Sequence, residues 1–134
     1  MTTKTIQFGE HLTIDGYNGD VKLLDSKKVV LSVLNDLPEK LGMNILSKPS
    51  VVSSPEIGIK DPGGWSGFVI IAESHISIHT FPKRGFVSAD IYSCKNGMDT
   101  KIIIDYFTKT FKLTDIETNF LKRGTRYPLE NLIN

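Results

Sequence analysis

The stretch Glu73-Ser74-His75-Ile76-Ser77-Ile78-His79-Thr80-Phe81-Pro82 sets a carboxylate, a serine and two histidines within seven positions. These residue types support nucleophilic and proton-transfer chemistry: a hydroxyl that attacks and an imidazole that carries protons. From 75 to 81 the chain alternates, Ile76, Ile78 and Thr80 to one side, His75, Ser77 and His79 to the other. Period two with β-branched residues predicts a strand with one buried and one polar face. The polar face is too chemically specific for ordinary solvated surface, and it is the candidate site.

Simpler readings of the same residues differ in strength. Two histidines four apart share an ion on a helix; on a strand they stand roughly 13 Å apart at about 3.3 Å per residue, too far for one metal. No metal site is therefore expected. Ser74 lacks the Gly-x-Ser-x-Gly elbow of a serine hydrolase. Either histidine taken singly reads equally as a satisfied structural residue. Cys94 is the single cysteine, which excludes an internal disulfide and a multi-cysteine zinc site. By itself it reads as a small buried hydrophobe.

The elements that position these groups follow from pattern. His11 to Asp15 alternates and runs into the turn-rich Gly16 to Asp20, predicting a first strand. Val29, Val30, Val33, Leu34 and Leu37 recur at helical spacing over Ser26–Lys40, with Asp25 or Ser26 as cap, Pro38 late and Gly42 as stop. Met43–Val52 reads as a second strand interrupted at Pro49, and Ser53–Gly64 as a long loop. Strands follow at 66–73, 75–81 and 86–93. A second helix over Asp99–Thr110 carries Ile103, Phe107 and Phe111 as one stripe, with Ile104 beside it. Asp115–Leu121 reads as a last strand, and Arg123–Asn134 as a tail. Short turns between strands and two interspersed helices predict an α+β two-layer sandwich, an antiparallel sheet with helices on one face.

One juxtaposition emerges from register. Phe81 and Phe86 flank Pro82-Lys83-Arg84-Gly85, a turn of good composition. With 81 opposite 86, Cys94 falls opposite Glu73 and beside Ser74. A thiol so placed reads as functional, on a register whose slip by one residue turns Cys94 to the other face.

Composition bounds the rest. The 134 residues, 40% hydrophobic and 23% charged, suit one domain with a modest core. A net charge of +1 without like-charge blocks leaves no footprint for nucleic acid or a membrane surface. The run Gly67–Ala72 is far too short to span a bilayer. Met1-Thr2-Thr3-Lys4 has no apolar signal core, so a cytoplasmic location is expected.

The run from Glu73 to Pro82, with Cys94 at its spacing and Ser66-Gly67 upstream, resembles the prokaryotic S-adenosylmethionine (AdoMet) decarboxylases. The likeness is clear over Gly63–Cys94 and looser over the whole length, His11-Leu12 included. It implies a proenzyme that cuts itself between Glu73 and Ser74, giving a β chain of residues 1–73 and an α chain of 74–134. Ser74 attacks the Glu73 carbonyl to form an ester, and elimination and hydrolysis leave a pyruvoyl cofactor at the new N-terminus. By the same resemblance Ser66 stabilises the oxyoxazolidine intermediate and His79 abstracts the α proton. The pyruvoyl forms a Schiff base with a small-molecule substrate, and Cys94 returns a proton after decarboxylation. Family members assemble as homodimers or larger, with sites near the interface.

Two positions depart from the family pattern. Lys83 stands where a glutamate commonly holds the ribose hydroxyls, and Ile57–Pro62 carries no ring where an aromatic residue stacks on adenine, Trp65 being the nearest. The resemblance extends to relatives that have given up AdoMet for L-ornithine or L-arginine, and with these departures it implies first a polyamine-pathway decarboxylase of that kind, making putrescine or agmatine. Asp61 and Asp15 are the candidate carboxylates for the cationic tail, though each taken singly reads first as a turn or capping aspartate. Lys83 is then expected to face solvent or a partner chain. AdoMet decarboxylation for spermidine synthesis is the alternative, and a catalytically silent regulatory paralogue a further one.

Overall fold

Alternating strands and two amphipathic helices make one layered structure, seen in a computed structural model that describes residues 4–133. Met1, Thr2, Thr3 and Asn134 lie outside the described residues, as therefore does most of the segment read as lacking a signal core. The elements in order are β1 (Thr5–Ile6), β2 (Gly9–Tyr17), α1 (Val21–Leu24), α2 (Lys27–Lys40), β3 (Ser50–Ser54), β4 (Gly64–Ile71), β5 (Ser74–Phe81), β6 (Phe86–Ser93), α3 (Thr100–Phe111), β7 (Asp115–Arg123) and β8 (Tyr127–Pro128). Six strands form an antiparallel sheet in the order β3-β4-β5-β6-β2-β7, and β1 pairs with β8 in a separate two-stranded ribbon.

The pleat sorts the side chains. Ile76, Ile78 and Thr80 of β5, Val87, Ala89 and Ile91 of β6, and Leu12 and Ile14 of β2 are buried under the helices. Onto them pack Val30, Val33, Leu34 and Leu37 of α2 and Ile103, Phe107 and Phe111 of α3, the stripes that the spacing predicts. Gly67 has no side chain because a Cβ there would meet Leu34 Cδ1 at 2.9 Å and Ser50 O at 3.0 Å. Among the described residues the opposite face of the sheet carries no helix, so the helices lie on one side, as an α+β sandwich requires.

Helix ends follow their chemistry. Ser26 caps α2 by accepting from Val29 N–H, and Gly42, at φ 66°, lies just past its end; Asp99 caps α3 through Ile102 N–H. Each such cap contributes about 1 kcal/mol.

Several stretches differ from the sequence reading, and the strand expected over 66–73 is one: it runs Gly64–Ile71, with Ala72 and Glu73 in the turn before β5. Met43–Val52 does not form one strand: Ile45 makes an isolated bridge to Ile71, and β3 begins only at Ser50, beyond Pro49. The segment after Arg123 is not a loose tail, because Tyr127 and Pro128 pair with Ile6 and Thr5. The turn after β2 contains the short helix α1, capped by Asp20. No helix among the described residues is long and apolar enough to cross a membrane.

Candidate active site

The β5–β6 hairpin has Phe81 opposite Phe86 and Ser74 opposite Ser93, the register expected. Beyond the last ladder pair, Cys94 N–H donates to Glu73 O at 2.9 Å. Cys94 and the Glu73–Ser74 peptide thus meet across the strand ends. Cys94 is exposed, so the reading as a buried hydrophobe is wrong. Buried Glu10 holds the segment behind it: Oε1 accepts from Gly97 N–H at 2.6 Å and Met98 N–H at 2.9 Å. Gly9 lies so close that a Cβ would fall 2.5 Å from Ser93 O and 3.1 Å from Cys94 Cα.

The peptide before Ser74 is unusual. Ala72 and Glu73 form a two-residue turn between Ile71 and Ser74, yet neither has positive φ. The two-residue turns that match strand twist need positive φ at one or both central residues. Here the misfit passes to Ser74, whose φ is 155°. That is glycine's territory, and holding another residue there costs about 1–3 kcal/mol. Hydrogen bonds on both sides fix the turn: Ala72 N–H to Asn44 O at 2.7 Å and Asn44 N–H to Glu73 Oε1 at 3.2 Å.

Ser66 and His79 face each other on β4 and β5, with Ser66 Oγ 2.9 Å from His79 Nδ1 and Ser54 Oγ bonded to Ser66 Oγ. Register continues this row across Ser88 and Asp15 to Glu117. It lies at the other end of β5 from Ser74. Asp61 is nearby, lining a cavity of about 480 Å³ with Tyr17, Phe81, Arg84 and Phe86, and its Oδ1 accepts Gly63 N–H at 2.8 Å, as a turn aspartate does. Asp15 and Asp61 are thus grouped with His79, not with Cys94.

Lys83 points into solvent, its Nζ 2.8 Å from Glu56 Oε1, and this ammonium holds the Glu56 carboxyl below its usual range. Trp65 lies on the helix side, packed against the core with Nε1–H donating to Asp25 at 3.2 Å, and is unavailable to a ligand on the open face. The rings that do stand beside Cys94 are Phe8 and Tyr127, 5.1 Å apart, lining a cavity of about 310 Å³ with the thiol. The sequence reading missed both, since Tyr127 arrives only through the β1–β8 pairing.

Between the two ends, Asp90 gathers three donors: His11 Nε2 at 2.7 Å, His75 Nε2 at 3.2 Å, and the Ser77 hydroxyl. Burial pushes its pKa up, but the hydrogen bonds from Ser77, His11 and His75 outweigh this and leave the carboxyl below its ordinary value. His11, His75 and Asp90 are also close enough to consider as metal ligands. Arg123, a donor only, lies 2.7 Å from His11 Nδ1, so the His11 proton sits on Nε2 and faces Asp90. A cation entering here would have to displace that proton and the Arg123 contact.

Comparison with known proteins points to one family. Residues 10–124 match the family model described as S-adenosylmethionine decarboxylase. The chain is 32% identical over 117 residues to the S-adenosylmethionine decarboxylase proenzyme of Brevibacillus brevis, covering 87% of this chain and 83% of that one. It is 30% identical over 116 residues to the proenzyme of the same name from Pyrobaculum neutrophilum, covering 87% and 89%. The crystal structure of the adenosylmethionine decarboxylase from Aquifex aeolicus superposes with a TM-score of 0.74 at 24% identity, covering 96% of this chain and 98% of that one.

Proposed function

Since the chain belongs to the S-adenosylmethionine decarboxylase family, we propose that it cleaves itself at Glu73–Ser74 and then decarboxylates S-adenosylmethionine. Enzymes of this family are pyruvoyl-dependent carboxy-lyases whose cofactor is made from their own chain. The observation that carries the assignment to these residues is Cys94 N–H on Glu73 O, at 2.9 Å, which ties the only thiol to the strained serine. A residue that begins a strand, with its carbonyl partner held and an exposed thiol alongside, fits a pyruvoyl precursor.

Cleavage starts when the Ser74 hydroxyl adds to the Glu73 carbonyl carbon. The C–N bond breaks, the amine of residue 74 takes a proton, and Glu73 is left esterified to the serine oxygen. A base removes the Ser74 α proton and the Glu73 carboxylate leaves; water then replaces the nitrogen, which departs as ammonia. The pyruvoyl group supplies an electron sink, a ketone that takes up the substrate amine and accepts the electron pair as carbon dioxide leaves. Cys94 holds the proton that returns to the substrate α carbon.

His79 is the base, and it acts from a second copy of the chain. Along one strand it stands about 16 Å from Ser74 at about 3.3 Å per residue, out of reach for proton transfer. A homodimer that apposes the uncovered sheet faces brings Ser66 and His79 of one copy to Ser74 and Cys94 of the other. Asp61, Asp15 and the aromatic cavity at Phe81 then contribute to the same site.

The names of the relatives and the Phe8–Tyr127 pair beside Cys94 support AdoMet, since those rings offer a stacking surface for a planar base. The family resemblance places a glutamate where this chain has Lys83, and this favours a second reading, decarboxylation of L-ornithine or L-arginine. Carbon dioxide release should be measured with the three substrates side by side, together with mass spectrometry of the purified protein. AdoMet turnover and two fragments, 1–73 and a keto-blocked 74–134, are expected. Turnover of a basic amino acid alone transfers the assignment to the second reading, and an uncut inactive chain makes it a regulatory paralogue.

A further inference from the structure

We propose that His75 returns a proton to Cys94 after each turnover, and that Asp90 is the positioning residue that holds the imidazole for this task. The inference rests on the proposed decarboxylation and adds a step to it. Each carbon dioxide that leaves consumes one proton at the site. The S–H bond of Cys94 breaks, a C–H bond forms at the substrate α carbon, and a thiolate is left. That thiolate must be protonated before the next substrate can be served.

Register places the donor. Cys94 lies opposite Glu73, its N–H on Glu73 O at 2.9 Å, and His75 lies opposite Tyr92. Ser93, between Tyr92 and Cys94, is buried under the helices, so alternation turns Tyr92 and Cys94 to the open face with His75. His75 and Cys94 are thus diagonal neighbours across two antiparallel strands, about 7–8 Å apart at the backbone, within reach of a long or aromatic side chain.

The groups around them leave this task to His75. Gln7, Asn96 and Asn131 line the cavity of the thiol, but amides do not titrate. The ionisable groups that face His75 are Asp90, Tyr92 and Cys94 on the β6 side, His11 of β2, Arg123 of β7 and Glu73 in the turn. His11 is closed at both nitrogens, Nε2 lying 2.7 Å from Asp90 and Nδ1 2.7 Å from Arg123, whose guanidinium also lies over the Tyr92 ring at 4.7 Å. His75 Nε2 is 3.2 Å from Asp90 Oδ2, and among the described residues its Nδ1 has no hydrogen-bond partner. Asp90, ionised at neutral pH, only accepts, so the N–H of His75 is on Nε2 and Nδ1 is the atom that exchanges protons. In the step itself Nδ1 takes a proton from water, and the Asp90 carboxylate stabilises the imidazolium. The Nδ1–H bond then breaks as the S–H bond of Cys94 forms. A thiolate is a stronger base than an imidazole, so the transfer runs downhill.

His75→Gln and His75→Ala test the step in the cut enzyme, whose Cys94 starts out protonated. In rapid-quench assays the first turnover should keep the parent's rate, with a burst of one product per site. The steady state should then be about 100-fold slower than the parent's. Imidazole in the buffer should restore much of it to His75→Ala. A linear time course at the parent's rate overturns the proposal, and is the result expected if His79 of the second copy recharges the thiol instead. A variant slow from its first turnover and not rescued by imidazole also overturns it, because a merely structural role slows both phases alike.

Asp90→Asn leaves the neighbours of Ser74 unchanged and carries the test if the His75 variants do not cut. Assayed below its melting temperature, it should show the same burst and a steady state about 10-fold slower; parent kinetics overturn the proposal. The substrate is AdoMet, with ornithine or arginine in its place under the second reading, since each consumes the same proton. A parent that cuts but turns over none of the three, or never cuts on a denaturing gel, refutes the functional assignment and this step with it. An active parent whose variants show no burst refutes the step alone.

Discussion

Ser66 Oγ and His79 Nδ1 lie 2.9 Å apart on adjacent strands, and the pair they form is a strand's length from Ser74, the proposed cleavage point. If the reactive site is assembled from two chains, two defective chains should repair each other. Ser74→Ala cannot be cut but retains His79, and His79→Ala lacks the base but retains Ser74. Neither should cleave alone. Co-expressed with different tags, only the His79→Ala chain should be cut, in up to about half its copies if dimers mix freely. Absence of cleavage in verified mixed dimers would place the base within the same chain.

The hairpin that carries Ser74 and Cys94 was legible because two simple signals agree there. Period-two alternation assigns faces, and Pro82–Gly85 fixes which residues oppose. The helix stripes, such as Ile103, Phe107 and Phe111, were legible for the same local reason. Met43–Val52 was not, because an apolar run with a proline does not reveal how few of its residues find a partner. Phe8 and Tyr127, far apart in sequence, meet beside the β1–β8 ribbon, and Asp90 draws His11 and His75 from strands far apart in sequence. Such groupings have no local signature. The strain at Ser74 has none either, since serine is unremarkable until its turn is known.

Phe8 supplies a test of the substrate that does not depend on the cleavage chemistry. Loss of a stacking ring removes roughly 1–3 kcal/mol, a factor of about 5–150 in kcat/KM. Phe8→Ala should therefore cleave normally and lose that factor with AdoMet, mainly through KM. A loss of equal size with a substrate lacking a nucleobase would argue that Phe8 only supports the fold.

Gly9 bears on Cys94, the proposed proton donor, through space alone. A methyl group there would lie 2.5 Å from Ser93 O and 3.1 Å from Cys94 Cα, and both neighbours are backbone. Gly9→Ala should push the strand end that carries Cys94 and destabilise the protein by about 1–3 kcal/mol. Decarboxylation by the cut enzyme should fall further than melting temperature explains. A variant that melts and turns over like the parent would show that this strand end has slack.

Asp90 predicts how acid affects the fold. Its folded pKa lies below the ordinary 3.8, with burial opposing and the donors Ser77, His11 and His75 prevailing. Between the two values the unfolded chain binds more protons than the folded one, so stability rises with pH there. The contribution is present above about pH 4 and disappears as pH falls through the lowered value. Asp90→Asn should cost about 1–3 kcal/mol at pH 7, because it replaces an acceptor of three hydrogen bonds by a group that must donate. Melting curves of parent and variant, taken from pH 7 down to pH 2.5, should therefore converge below about pH 4. A gap that stays constant over the whole range would mean that Asp90 acts by packing, and that its charge does not hold His11 and His75 in place.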